Sequence, residues 1–141
     1  MLKYLVFLPL GLALWQPVNA AVIEPYQAKG CRYEGEVDKA NKPHGKGEWA
    51  CQDGRSYQGQ FKNGRFDGKG IYTVNTVKPV FLEPFTVNST RLNKMVLTGQ
   101  FKQGLAEGKF QVTQNNEPLF VITFDKGMMK DVKLATQPKK K

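Results

Sequence analysis

Residues 57–70 read Tyr57-Gln-Gly-Gln-Phe-Lys-Asn-Gly-Arg-Phe-Asp-Gly-Lys-Gly70. Tyr57, Gly59 and Phe61 alternate with Gln58, Gln60 and Lys62, a period of two with one apolar face, as in a half-buried strand. Beyond the stretch, Gly70, Tyr72 and Val74 alternate with Lys69, Ile71 and Thr73 in the same way. Asn63-Gly64 and Asp67-Gly68 lie between these runs. Both are turn signals in which glycine supplies φ > 0, so the spacing predicts a β-hairpin with both pairs at its tip.

Outward from this hairpin the pattern recurs. Leu97-Thr-Gly-Gln-Phe-Lys-Gln-Gly104 and Phe120-Val-Ile-Thr-Phe-Asp-Lys-Gly127 align with Tyr57–Gly64 without gaps, and Tyr33-Glu-Gly-Glu-Val37 begins another copy upstream. The return half recurs as Gly45-Lys-Gly47, Gly68-Lys-Gly70 and Gly108-Lys-Phe110. The unit is about 23 residues long, and the wider gap between the second and third copies marks an insertion near 75–96. Copies are expected near 33–52, 57–74, 97–114 and 120–135, with tight links at Asp53-Gly54 and Gln114-Asn115-Asn116. The register sets Tyr33 against Trp49, Tyr57 against Tyr72 and Leu97 against Val112, with Gly35, Gly59 and Gly99 on the same face.

These residues resemble the MORN repeat (membrane occupation and recognition nexus). Tyr57–Gly70 carries the motif, and Tyr33–Gly47 is similar with one extra residue before its glycine pair. Leu97–Phe110 has Leu for the leading Tyr and Phe110 for the last Gly, and Phe120–Ala135 has Asp131 and Lys133 where glycines are expected. The resemblance implies an all-β fold, an elongated single-layer antiparallel sheet of successive hairpins, interrupted after the second by the irregular insertion. It implies an interaction module, with roles in membrane-lipid contact, scaffolding or oligomerisation.

The chain has 141 residues, 21 Lys plus Arg against 12 Asp plus Glu, and a formal net charge of +9. That length supports one domain, here residues 31–136. Residues 1–20 read as a cleaved signal peptide. Lys3 is the charged start, Tyr4–Trp15 is a mostly apolar stretch too short to span a bilayer, and Val18 and Ala20 are the small residues before the cut. Residues 21–30 form an N-terminal extension and 137–141 a basic tail. Export, to a periplasm or outside the cell, makes a Cys31–Cys51 disulfide the default. The register places these cysteines opposite each other, and closing the first hairpin stabilises by about 3 kcal/mol.

The two faces offer different chemistry. Tyr33, Trp49, Tyr57, Phe61, Tyr72, Phe101, Phe110, Phe120 and Phe124 form an aromatic face that a single layer leaves to be covered by the chain, a partner or a second copy. The opposite face repeats lysines. Lys46, Lys69 and Lys109 share one repeat position and Lys62 and Lys102 another, which gives candidate anion-binding rows. In the insertion, Val80, Phe81, Leu82 and Phe85 are too apolar for a bare linker. They either pack on the sheet, the favoured reading, or form a partner-binding loop.

Catalytic chemistry has little to build on. His44, the one imidazole, is expected at the first hairpin tip without a second ligand, and Gly64-x-x-x-Gly68-Lys-Gly70 lacks the spacing of a phosphate loop. The expectation is a protein that is not an enzyme and has neither cofactor nor metal. Its partner would be an unidentified envelope or extracellular protein, with an anionic lipid surface, lipopolysaccharide or a homodimer as alternatives. Export argues against nucleic acid.

Overall fold

The structure, a computed structural model, describes residues 19–136. The expected leader up to residue 18 and the basic tail from 137 lie outside the described residues. Eleven strands follow in order: β1 (Ala20–Ile23), β2 (Cys31–Val37), β3 (Pro43–Cys51), β4 (Arg55–Lys62), β5 (Arg65–Val74), β6 (Phe81–Leu82), β7 (Val87–Asn88), β8 (Val96–Lys102), β9 (Leu105–Gln114), β10 (Glu117–Asp125) and β11 (Met128–Leu134). Nine of them form one open antiparallel sheet, in the order β1-β2-β3-β4-β5-β8-β9-β10-β11. No helix among the described residues is long and apolar enough to cross a membrane.

The turns follow from their residues. Asn63-Gly64, Gln103-Gly104 and Lys126-Gly127 all have positive φ at both positions, from 50° to 88°. That backbone matches the right-handed twist of the flanking strands and favours glycine at its second place. Each turn is tied to the preceding hairpin, as the amide N–H of Gly64, Gly104 and Gly127 donates to the carbonyl of Pro43, Phe66 and Ala106, respectively. Carboxylates repeat the tie: Asp67 accepts from Gln103 N (3.0 Å) and Glu107 from Lys126 N (2.9 Å). Neighbouring repeats are thus joined by short-range bonds as well as by the sheet, as expected of a one-dimensional repeat stack.

Three expectations change. Asp67-Gly68 is not at the tip. It lies within β5 at a bulge, where Asp67, Gly68 and Lys69 oppose the single residue Gln60, and Gly68 takes φ 106°. The bulge returns Phe66 to the ring face opposite Phe61. His44 lies exposed within β3, not at the first tip. That tip is residues 38–42, closed by Asp38 Oδ1 accepting from the amides of Ala40 and Lys42. The N-terminal extension, finally, begins as a strand: β1 pairs with β2 from Ala20↔Glu36 to Ile23↔Tyr33.

The insertion leaves the sheet and rejoins it without breaking it. β5 pairs directly with β8, from Gly68↔Phe101 to Thr73↔Val96. The looped-out residues are ordered by their own bonds. Buried Ser89 Oγ accepts from Val80 N (2.9 Å) and lies 3.1 Å from Thr76 Oγ1, and the Asn93 side chain bonds Thr76 at both N and O.

Candidate binding surfaces

One face of the sheet is a continuous row of rings. Tyr57 stacks on Phe66 (3.9 Å, 16°), and edge-to-face pairs link Tyr33–Phe61, Tyr57–Phe101, Phe101–Phe110 and Phe110–Phe124 at 4.7–5.3 Å. Such pairs each add about 0.5–1.5 kcal/mol beyond the area they bury. Of the nine aromatic residues expected on this face, eight are buried and Phe120 is half-buried.

The glycines are what let the rings lie down. Gly35, Gly47, Gly59, Gly70 and Gly99 are aligned across five successive strands. A Cβ on Gly47 would fall in the Tyr33 ring and one on Gly70 in the Tyr57 ring. Each tyrosine hydroxyl then donates to a carbonyl three residues ahead, Tyr33 to Glu36 (2.5 Å) and Tyr57 to Gln60 (2.8 Å). Burial is the main reason that both phenols titrate well above 10, with Tyr33 at about 12, where the charge of Glu36 adds to the effect.

The chain supplies its own cover. Phe85, fully buried, reaches from the insertion onto Tyr72, Phe101, Phe110 and Phe124 at 5.2–5.9 Å. Leu82 and Leu92 are buried beside it. The insertion thus packs on the sheet, the favoured of its two readings. Of the four residues expected to pack, Leu82 and Phe85 are spent on the core and Val80 is half-buried, so Phe81 alone stands exposed, at 55%. At the other end, Tyr26 packs on Tyr33 and donates through its hydroxyl to Gly64 O, which also accepts from Gln27 Nε2. Cys31 and Cys51 are register partners joined by a disulfide that closes the first hairpin.

The opposite face carries the lysines. Register aligns Lys46, Gln60, Lys69 and Gln100 along one line across β3, β4, β5 and β8, where Glu107 of β9 is the partner of Gln100 and Lys109 lies two residues further along β9, in its bulge. All three lysines are exposed. They recur every second strand, about 10 Å apart, and because β5 pairs with β8 the insertion does not interrupt them. Lys62 and Lys102 end β4 and β8, also exposed and two strands apart. Glu34 and Glu48 face each other at the first hairpin, which limits the positive stretch on that side. A shallow groove of about 580 Å³ crosses these strands, with Gly47, Gly59 and Gly70 along its floor and exposed Ile71 at its wall.

Sequence reasoning missed the open edge of β11. Met128 is 52% exposed, Val132 48% and Leu134 81%. Val132 and Leu134 continue the ring face past Ile122 and Phe120, and their alternation with Asp131 and Lys133 was the available signal. It also missed Arg55, which extends the alternation of Tyr57 by one step onto the ring face and sits with its Cζ 5.4 Å from the Trp49 ring centroid. Asp53 holds it there, with Oδ2 2.7 Å from Nη2. Among the described residues no three His, Cys, Asp or Glu side chains converge as metal ligands.

An open sheet of stitched hairpins, apolar and self-covered on one side and polar on the other, defines a repeat-based binding or scaffolding protein. Three stretches, residues 33–54, 57–73 and 98–109, match the family model of the MORN repeat, so the chain carries MORN repeats. The matches fall on the hairpins β2–β3, β4–β5 and β8–β9. No curated protein matches the chain.

Proposed function

We propose that the chain is exported and serves, without catalysis, as a docking module for a protein partner in the cell envelope or outside the cell. Export is supported by the leader-like residues 1–20 and by the single cysteine pair, which suits an oxidising compartment. Fractionation with mass analysis of the purified chain tests it. The reading expects a product beginning at Ala21 outside the cytoplasm, and a chain retained there with Met1 intact contradicts it.

The observation that carries docking is the β11 edge. An uncovered edge strand presents unpaired backbone N–H and C=O groups, and flanking apolar side chains give an incoming strand something to bury. Here Met128, Val132 and Leu134 supply that area. Capture from the native compartment with the wild-type chain and with Val132→Lys/Leu134→Lys tests the reading. The partner should be lost with the edge variant, and equal recovery with both chains would refute edge docking. Light scattering distinguishes a second copy from a different protein.

The second reading is peripheral contact with anionic lipid or lipopolysaccharide. The exposed Lys46, Lys69 and Lys109 on one face of successive hairpins favour it, because spaced ammonium groups suit a surface of repeated anions. Vesicle flotation should then show binding that fades as salt rises, since exposed charges are screened over about 10 Å at 0.1 M. Absence of binding to anionic vesicles at low salt excludes it.

A further inference from the structure

The open side of β11 has a definite hydrogen-bonding pattern. Ala135 N donates to Leu119 O, and the ladder continues through Phe120↔Leu134, Val121↔Lys133 and Ile122↔Val132. In an antiparallel ladder, pairs that exchange two backbone bonds alternate with pairs that exchange none. Phe120↔Leu134 and Ile122↔Val132 are therefore of the second kind, and the N–H and C=O groups of Val132 and Leu134 point away from β10. Their side chains lie on the ring face, whereas Asp131 and Lys133 lie on the other, opposite Thr123 and Val121. All four residues are exposed. Within one chain the charged groups of Asp131 and Lys133 lie 4.0 Å apart, and both stay open to solvent.

The geometry and the charges select a partner. Strands alternate in direction across the nine-stranded sheet, so β1 and β11 run the same way. Joining β1 of one copy to β11 of another would be a parallel pairing, would use a strand of four residues and would not close. Two β11 strands instead meet antiparallel about a twofold axis, which closes with two copies. Residues opposite each other in such a seam share a face, so the axis passes through a residue. Through Asp131 or Lys133 it sets like charges against each other, which is unfavourable. Through Leu134 it opposes no charges. Through Val132 it sets Asp131 against Lys133 of the second copy, twice. The two Val132 residues then exchange backbone bonds, and each Asp131–Lys133 pair is of the unbonded kind, in which side chains come closest. Charged residues and bulges on an edge deter pairing in general, and Lys130, the extra residue of the β11 bulge, acts in that sense. A strand that answers both charges is thereby favoured over one that does not.

We propose that β11 pairs with β11 of a second copy, antiparallel and centred on Val132, so that the two sheets continue as one. This rests on the edge-docking reading and names its partner as the chain itself. Val132 meets Val132 on the ring face, and two ion pairs on the opposite face fix the register.

Sedimentation equilibrium of the purified chain tests it. Wild type should be a reversible, concentration-dependent dimer. Asp131→Lys and Lys133→Asp are exposed changes that each set like charges together twice, and each should weaken the dimer about tenfold or more. The double variant Asp131→Lys/Lys133→Asp should recover the wild-type affinity. A mixture of the two single variants should form heterodimers, because each chain then meets the opposite charge at both positions, and this rescue also shows that both variants are folded. A wild-type chain that stays monomeric at every concentration, a dimer that neither single variant weakens, or single variants that do not rescue each other would each overturn self-pairing. Edge docking to a different protein stands or falls separately, on the capture experiment with Val132→Lys/Leu134→Lys.

Discussion

Leu97 and Phe110 exchange the places that Tyr57 and Gly70 hold one hairpin earlier. In the second hairpin the ring stands on the outgoing strand at Tyr57 and lies over the glycine of the return strand. In the third it stands on the return strand, where Phe110 lies over Gly99 with ring atoms 2.7–2.8 Å from the place of a Cβ, and the outgoing position is the smaller Leu97. The space under the sheet is filled once in either arrangement. Gly70→Phe alone should overpack the site and cost at least about 1–3 kcal/mol, and Tyr57→Leu alone should cost about 2–3 kcal/mol in lost ring contacts and the bond to Gln60. The double variant should be more stable than the sum predicts by at least about 1 kcal/mol. Urea unfolding of the four chains measures this, and simple additivity would show that the two positions do not share one space.

The disulfide closes a hairpin of sequence separation 20 at the N-terminal end of the sheet. A Cys31→Ala/Cys51→Ala chain should be less stable by about 3 kcal/mol. Adding a thiol reductant should lower the wild-type urea midpoint towards that of the variant while leaving the variant unmoved.

Within the insertion, adjacent rings have opposite roles. Phe85→Ala removes the side chain that bridges Tyr72, Phe101, Phe110 and Phe124 and should cost about 3–5 kcal/mol. Phe81→Ala touches a largely exposed ring and should stay within about 0.5 kcal/mol of wild type. Thermal or urea melts of the pair test whether the insertion is part of the core, and similar effects from both would count against it.

Alkaline pH should unfold the protein through its tyrosines. Burial raises the Tyr33 phenol from 10.0 to about 12, and the Tyr57 and Tyr72 phenols rise as well. The folded state therefore keeps protons that the unfolded chain releases near pH 10. This stabilisation is complete below pH 10 and declines as pH rises from 10 through 12. Stability followed by circular dichroism should fall across that window, with tyrosinate absorbance appearing together with unfolding and not before it.

Much of the fold was legible because a period of two survives wherever the sheet is regular. The pairs Tyr33↔Trp49, Tyr57↔Tyr72, Leu97↔Val112 and Cys31↔Cys51 all follow from counting outward from the turns. Phe66 was hidden because Asp67-Gly68 has the composition of a turn. Locally it could be a tip or a bulge, and only the pairing of Phe66 with Phe61 decides. The lysine row was legible as a repeat position, but its continuity depended on β5 meeting β8 across the insertion, a long-range pairing that no local pattern encodes. β1 is four residues long and its alternation is too short to separate from an extended tail. The gap between the N-terminal segment at Gln27 and the insertion at Pro84 could not be read at all, since the paths of both are set by tertiary contacts.

One sheet, unbroken across the insertion, with its rings covered by Phe85 and its lysines outside, underlies every other statement about this protein. Nuclear Overhauser contacts in a labelled chain test it most directly. Phe85 ring protons should show contacts to Tyr72, Phe110 and Phe124, and backbone protons around Gly70 should show cross-strand contacts to those around Gly99. If Phe85 shows contacts only to its sequence neighbours and Gly70 none to the strand of Gly99, the sheet is divided and the account is wrong.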